Sequence, residues 1–244
     1  MLQAIMSPLA NASKSPAPCL QVAREDASAV AEAVFGKVFR ADWSEPGFAI
    51  LALPGETDSK DLRQFMVALK QALSACHASR WGEPLKYLSL GRFDQQTTTK
   101  LHLDGAPEIS LLMLGYEPTS VKSELQIADY TRCACDLGLT PTEFLQEHNP
   151  MFIAGQELLE PYTTRLTDWH EERPRILLIN NSHAAPASPR HTAGVMHGAS
   201  ILRPDPNASR IINSTMIAPA SCVLEDASAK EAEFLHTDAI SGLL

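Results

Sequence analysis

From residue 86 onward the sequence is a succession of short β-type segments, and this succession most constrains the fold. Apolar residues run over roughly four to eight positions, and turn-forming residues such as Gly105, Pro107 and Pro118 separate the runs. One further strand is predicted before this part of the chain, at residues 47–53. The others cover residues 86–92, 100–103, 109–116, 124–129, 176–179, 193–202 and 210–217. Strands and helices do not alternate regularly, which disfavours a doubly wound α/β fold. The pattern predicts a mainly β fold with flanking helices, built as a double-sheet jelly roll.

The clearest helical pattern lies at residues 59–76, where apolar residues recur at the spacing of one helix face. They are Leu62, Phe65, Met66, Leu69, Leu73 and Cys76. The segment Thr140-Pro-Thr-Glu143 has the sequence of a capping box with proline at the first helical position, and it predicts a helix through about His148. Further helices are expected at 21–36 and 225–236. Most of the predicted helices therefore lie before or after the run of strands that begins at residue 86, and the helix that begins at Thr140 lies within it.

The domain organisation follows from length and composition. The chain has 244 residues, of which 45% are hydrophobic and 20% are charged, as in an ordinary globular protein. We expect one domain at 21–244 after a flexible tail at 1–20, which is rich in Ser, Ala and Pro. An insert at about 130–172 is expected to interrupt the β-rich part, with 149–172 irregular.

Charge and cysteine content disfavour several classes of function. A net charge of −9 argues against a general nucleic-acid-binding protein and against a basic protein that binds to the membrane surface. No apolar run approaches the ~20 residues that span a bilayer, and the first residues lack the basic start of a signal peptide. The scattered cysteines match neither a disulfide framework nor zinc-finger spacing, although Cys133-Ala-Cys135 forms a close pair. We therefore expect a cytoplasmic protein without a nucleic-acid or membrane partner, and its oligomeric state stays open.

His102 and Asp104 are the most informative functional pair. In Lys100-Leu-His-Leu-Asp104 they stand two residues apart, so on a β-strand both side chains point to the same face. An imidazole and a carboxylate placed in this way can bind one metal ion. A further histidine would complete the 2-His-1-carboxylate triad that holds iron(II) with open coordination positions.

His197 is the preferred third ligand, and Arg210 follows it by thirteen residues. The turn-rich segment Arg203-Pro-Asp-Pro-Asn207 between them predicts two adjacent antiparallel strands that bring both side chains to one cavity. Arginine can hold a carboxylate through two parallel hydrogen bonds. His191 with Arg203 offers nearly the same spacing and stays an alternative, but it lies in a Pro-rich stretch where a regular strand is not expected.

The ordered set His102, Asp104, His197 and Arg210 resembles the signature of the iron(II)/2-oxoglutarate-dependent dioxygenase superfamily. Within it, Ser123-Glu-Leu-Gln-Ile-Ala-Asp129 and the strand around His197 resemble segments of the taurine dioxygenase and clavaminate synthase branch. The resemblance covers about residues 86–217. One departure is clear: the Gly-Gly-Thr of that branch is Val121-Lys122-Ser123 here, although Ser123 retains the hydroxyl.

This resemblance implies a double-stranded β-helix, which is a cupin-like jelly roll, and an oxidoreductase that uses Fe(II), 2-oxoglutarate and O2. It implies that His102, Asp104 and His197 hold the iron. It implies further that Arg210 binds the distal carboxylate of 2-oxoglutarate, with Ser123 or Ser214 assisting. Decarboxylation of 2-oxoglutarate would then drive oxidation, most simply hydroxylation, of a small molecule that the sequence does not identify.

Two other interpretations stay open at this stage. A cupin-type metal protein that does not use 2-oxoglutarate would have no need of Arg210, and a non-catalytic jelly-roll binding module would use the histidines structurally. A serine hydrolase is disfavoured because the chain contains no Gly-x-Ser-x-Gly motif.

Overall fold

The computed structural model describes residues 19–22, 26–167, 173–183 and 192–240. Within these residues the strands are β1 Cys19–Gln21, β2 Phe48–Ala52, β3 Leu85–Asp94, β4 Thr99–His102, β5 Leu111–Tyr116, β6 Lys122–Ala128, β7 Thr163–Leu166, β8 Arg175–Asn180, β9 Met196–Arg203 and β10 Ile211–Pro219. The helices are α1 Ala27–Val38, α2 Ser59–Trp81, α3 Tyr130–Asp136, α4 Pro141–Glu147, α5 Ile153–Leu159 and α6 Glu231–His236. The fold is mainly β with flanking helices, as the sequence predicts.

The strands form two sheets. The larger sheet has the order β1-β2-β8-β5-β10-β3, and the smaller has the order β4-β9-β6-β7. All pairings are antiparallel except that of β1 with β2. From β3 to β10 the chain passes repeatedly from one sheet to the other, which is why residues distant in sequence meet between them.

The larger sheet is covered on both faces, so its central strands are almost entirely apolar. On β5, Leu112 and Leu114 pack toward the smaller sheet, whereas Leu111 and Met113 pack toward the helices. This division follows the alternation of side chains along a strand. On the helical side, α1 and α2 supply the apolar residues Val34, Phe35, Leu62, Phe65, Met66 and Leu69. The result is three layers: helices, the larger sheet and the smaller sheet.

The predicted insert carries a small core of its own. Tyr130, Phe144 and Leu159 pack on Leu101 and Met196, which lie on the face of the smaller sheet that points away from the larger one. The predicted capping box at the start of α4 is present, since Thr140 and Glu143 each accept a hydrogen bond from the other's backbone N–H. The insert therefore buttresses β4 and β9 from outside.

Two local predictions are wrong. Residues 149–172 are not irregular throughout, because α5 and β7 form there and β7 pairs with β6. The strand that carries His197, β9, and the strand that follows Arg210, β10, do not form a hairpin. β9 belongs to the smaller sheet and β10 to the larger one. β10 is buried along nearly its whole length because it lies between β5 and β3 beneath the helices. Local spacing cannot distinguish a hairpin from a crossing between layers.

Other predictions of structure lie partly outside the described residues. Residues 1–18 of the expected tail are not described, and Cys19–Gln21 form β1 beside β2. His191, the alternative ligand, also lies outside the described residues. None of the helices in the described part of the chain combines the length and apolar character needed to cross a bilayer.

Candidate functional site

His102 and His197 are brought together by the pairing of β4 with β9. They are directly opposite each other in the antiparallel register, and their ring centroids are 4.3 Å apart. Residues facing each other in this way have side chains within a few ångströms on one face of the sheet. The third ligand predicted from the sequence, His197, is therefore beside His102 despite a separation of 95 residues in the sequence.

Asp104 completes the cluster from the loop that follows β4. Its carboxylate oxygen lies 3.3 Å from Nε2 of His102. Ligand atoms of His102, Asp104 and His197 all lie within 4.8 Å of one another. Two ligands of a single metal ion lie about 3–4 Å apart, since each bond is about 2 Å long. The three side chains are close to that arrangement.

Burial and mutual contacts shift the pKa values of all three groups of the cluster. Burial, together with the nearby His102, lowers the pKa of His197 to about 4, so its imidazole is neutral at ordinary pH. A hydrogen bond with Asp104 raises the pKa of His102. Burial acts to raise the pKa of Asp104, but the hydrogen bond with His102 and the two imidazoles outweigh it and lower that pKa. A divalent metal requires a carboxylate and neutral imidazoles, so Asp104 and His197 already favour the ligand form, whereas the raised pKa of His102 favours a proton that a metal ion would have to displace.

The orientation of each imidazole also fits a metal site. Nδ1 of His102 lies 2.7 Å from the carbonyl oxygen of Lys100, which leaves Nε2 directed toward Asp104. Metal-binding histidines commonly donate their other nitrogen to such a carbonyl. Nδ1 of His197 is buried and has no hydrogen-bond partner among the described residues. An unsatisfied buried nitrogen next to a histidine and a carboxylate is consistent with a ligand position that a metal ion would fill.

Arg210 faces the same cavity from the other sheet. It lies immediately before β10, and only 1% of its surface is exposed. Its Nε donates to the hydroxyl of Ser123 at 3.3 Å, and its Nη1 donates to the carbonyl oxygen of Gln95 at 3.1 Å. Within the described residues it forms no ion pair with a carboxylate, and Nη2 has no hydrogen-bond partner.

An unpaired buried guanidinium is costly, because burial removes the water that would otherwise solvate the charge. The guanidinium also lies 5.2 Å from the centre of the Tyr116 ring, a cation–π contact that brings no negative charge to pair with it. Arg210 is therefore suited to an anionic group that enters the cavity.

The cavity has a volume of about 660 Å³ and lies between the two sheets. His102, Asp104, His197 and Arg210 all line it, as does Ser214 of β10. Most of its remaining wall is apolar and includes Leu88, Phe93, Leu112, Leu114, Ile127 and Met216. This volume is typical of a site for small organic ligands.

Ser123 and Ser214 occupy different positions. Ser123 is buried on β6, and its hydroxyl accepts the hydrogen bond from Arg210, so the geometry assigns it to holding the guanidinium. Ser214 lies nearer the cavity surface. Arg203, the partner of His191 in the alternative pairing, is exposed at the end of β9.

Sequence reasoning gave little weight to Asn181, which follows β8. Asn180, Asn181 and Ser182 are fully buried. The Asn181 side chain forms hydrogen bonds with both backbone groups of Asp104. The sequence signal that could have revealed it is a pair of asparagines directly after an apolar strand.

Comparison with known proteins gives matches only among solved structures. No protein-family model matches the chain, and no curated protein matches it. Three structures of the Kdo hydroxylase KdoO, described as a non-heme Fe(II) alphaketoglutarate-dependent dioxygenase, are similar to it.

The likeness is distant in sequence and in structure. The apo form and the complex with alphaketoglutarate and Fe(III) each have 12% identity and a TM-score of 0.39, with 82% of this chain and 88% of the other covered. The cobalt(II) complex has 11% identity and a TM-score of 0.41, with 88% of this chain and 92% of the other covered. Because likeness at this level does not define an activity, the functional assignment depends on the side chains of the cavity.

Proposed function

We propose that this protein is an Fe(II)- and 2-oxoglutarate-dependent oxygenase that oxidises a small molecule. One observation carries the proposal: a His-Asp-His cluster and an unpaired buried arginine line the same cavity. The cluster matches the 2-His-1-carboxylate arrangement of non-heme iron oxygenases. The arginine supplies what a dicarboxylate co-substrate needs at its far end.

The topology supports a double-stranded β-helix. Strands β3, β5, β8 and β10 belong to the larger sheet, whereas β4, β6, β7 and β9 form the smaller sheet. Eight antiparallel strands divided between two facing sheets are the arrangement of a jelly roll. In this fold the cavity between the sheets is open to side chains from both layers.

The iron would be held by His102 and His197 from adjacent strands and by Asp104 from the following loop. When bound, Fe(II) would supply coordination positions for 2-oxoglutarate and O2 and the redox chemistry that couples decarboxylation of 2-oxoglutarate to oxidation of a C–H bond. His102 is aligned by the Lys100 carbonyl, so its Nε2 already points toward Asp104 and the metal position, and it would give up its hydrogen bond with Asp104 when the metal binds. His197 is held neutral by burial and needs no loss of a proton before it binds metal.

The co-substrate would be oriented by Arg210. Its Nη2 is free to donate to a carboxylate, while Ser123 and the carbonyl of Gln95 fix the other side of the guanidinium. Ser214 could add a hydroxyl donor from β10, the strand that Arg210 precedes. The apolar wall would exclude water, and this exclusion strengthens the contacts between Arg210 and the carboxylate. The wall would also leave room for the substrate.

The direct test is succinate formation from 2-oxoglutarate with Fe(II) and ascorbate. Slow turnover without the true substrate is expected in the wild-type protein. It should be abolished in Asp104→Ala and strongly reduced in Arg210→Ala. Asp42→Ala, which removes an exposed aspartate at the surface, should match the wild type.

Anaerobic titration separates the alternatives. The proposal requires Fe(II) to bind and 2-oxoglutarate to bind after it. Iron binding without any binding of 2-oxoglutarate would indicate a cupin-type metal protein instead. If neither binds, the cavity belongs to a non-catalytic binding module and the proposal is wrong.

A further inference from the structure

We propose that Asn181 is a positioning residue that sets the direction of the Asp104 carboxylate. The inference rests on the proposed metal site. Asn181 is not one of the described residues that line the cavity. It would therefore act through Asp104 and would not touch a substrate.

The contact between the two residues is reciprocal. The backbone N–H of Asp104 donates to Oδ1 of Asn181 at 2.9 Å, and Nδ2 of Asn181 donates to the backbone carbonyl of Asp104 at 3.0 Å. One planar amide thus fixes both polar groups of one residue's backbone. This pair of bonds restricts rotation of the backbone that carries the carboxylate, as pairing with a neighbouring strand would.

Asn181 is itself rigidly held. It is fully buried and stands directly after β8 in the larger sheet. Its Nδ2 also donates to the hydroxyl of Ser110 at 3.1 Å, and its backbone N–H donates to the carbonyl of Ser110 at 3.0 Å. The amide plane therefore has little freedom to turn.

Asp104 needs such support because it lies in a loop. His102 and His197 are held by the β4–β9 pairing, whereas Asp104 comes two residues after β4 ends. Asn181 connects this loop to the larger sheet. A ligand that strays by a fraction of an ångström weakens a metal site, and partners of this kind are typically worth about 10–100-fold in metal affinity.

The test uses Co(II) alone as the probe, with affinity measured by calorimetry and geometry by the visible absorption spectrum. Asn181→Ala removes both bonds to Asp104. Asn181→Ser is a milder second variant that keeps a polar side chain in the space, should the alanine variant fail to fold. We expect both to bind Co(II) about 10–100-fold more weakly, with an altered spectrum at saturating metal.

The matched control is Ser74→Ala. The Ser74 hydroxyl accepts from the Leu85 N–H at 2.8 Å and donates to the Leu85 carbonyl at 3.3 Å, so it forms the same kind of reciprocal contact far from the cavity. This variant should lose stability but keep the wild-type affinity and spectrum. A merely structural role for Asn181 would give that same result.

The outcomes distinguish the two proposals. If wild-type protein does not bind Co(II), the metal site itself is wrong. If the wild type binds and the folded Asn181 variants match it within about twofold with an unchanged spectrum, the positioning role is wrong and the metal site stands. An equal loss in Ser74→Ala would also overturn the positioning role, because the effect would then be general loosening.

Discussion

His102 and His197 lie directly opposite each other on β4 and β9, with ring centroids 4.3 Å apart. At this distance two protonated imidazoles would repel, and burial together with His102 lowers the pKa of His197 to about 4. The two imidazoles are therefore not both protonated, and they can bind one metal ion together. Asp104 beside it supplies the negative charge that a divalent cation requires.

Replacing His197 should remove a metal ligand. We expect His197→Ala to weaken Fe(II) or Co(II) binding by more than about 100-fold, which exceeds the usual cost of losing only a supporting partner. Anaerobic calorimetry measures this directly. His236→Ala, which removes an exposed histidine at the end of α6, is the control, and equal affinities in the two variants would exclude His197 as a ligand.

Arg210 and Arg203 separate the two arrangements that the sequence left open. Arg210→Lys keeps the charge but loses the fork of donors, so 2-oxoglutarate should bind about 10–100-fold more weakly to the metal-loaded protein, or roughly 1.4–2.8 kcal/mol. Arg203→Ala removes an exposed side chain and should leave the affinity unchanged. Titration of both variants with 2-oxoglutarate provides the measurement. The reverse pattern would favour the pairing of Arg203 with His191.

Gly194 tests how tightly the segment before β9 is packed. A Cβ at this position would lie in contact with the backbone of Ser182, closer than atoms can approach. Gly194→Ala should therefore displace the segment and lower the free energy of unfolding by about 1–3 kcal/mol, which urea denaturation can measure. Gly36→Ala in α1 meets no neighbouring atom and should stabilise the protein by roughly 0.5–1 kcal/mol. An undiminished stability of the Gly194 variant would show that this segment can yield.

Cys133 and Cys135 should differ in reactivity although they are two residues apart. Burial raises the pKa of the Cys133 thiol to about 11, whereas Cys135 is exposed. At pH 8 only about one Cys133 thiol in a thousand is the reactive thiolate, and the fraction rises as pH approaches 11. Labelling with iodoacetamide, read by peptide mass spectrometry, should modify Cys135 first at pH 8. Equal rates in the folded protein would contradict the structure of α3.

The local elements follow from the sequence because short-range physics defines them. The helix at Ser59–Trp81 begins after Asp58, whose side chain accepts from the backbone N–H of Asp61, and its apolar face follows the predicted spacing. The capping box of Thr140 and Glu143 likewise forms where its motif stands. These signals involve residues three or four positions apart, so no distant contact is needed to interpret them.

The pairing of strands does not follow in this way. β9 and β10 carry the spacing and turn residues of a hairpin, yet they enter different sheets. Which strand pairs with which is decided by burial across layers. Here β9 pairs with β4 and β6, and β10 lies between β5 and β3.

By itself the sequence determined the β-rich class and the principal helices, because each depends on residue type and short spacing. It also offered His102, Asp104, His197 and Arg210 as candidate site residues, with His191 and Arg203 as an alternative to the last two. Only the tertiary structure decided that His197 faces His102 across a strand pair, that Arg210 is buried without a carboxylate partner, and that Asn181 holds the backbone of Asp104. These relationships join residues that are dozens of positions apart. They exist because two sheets pack against each other around one cavity. Local sequence does not specify which distant side chains this packing brings into contact.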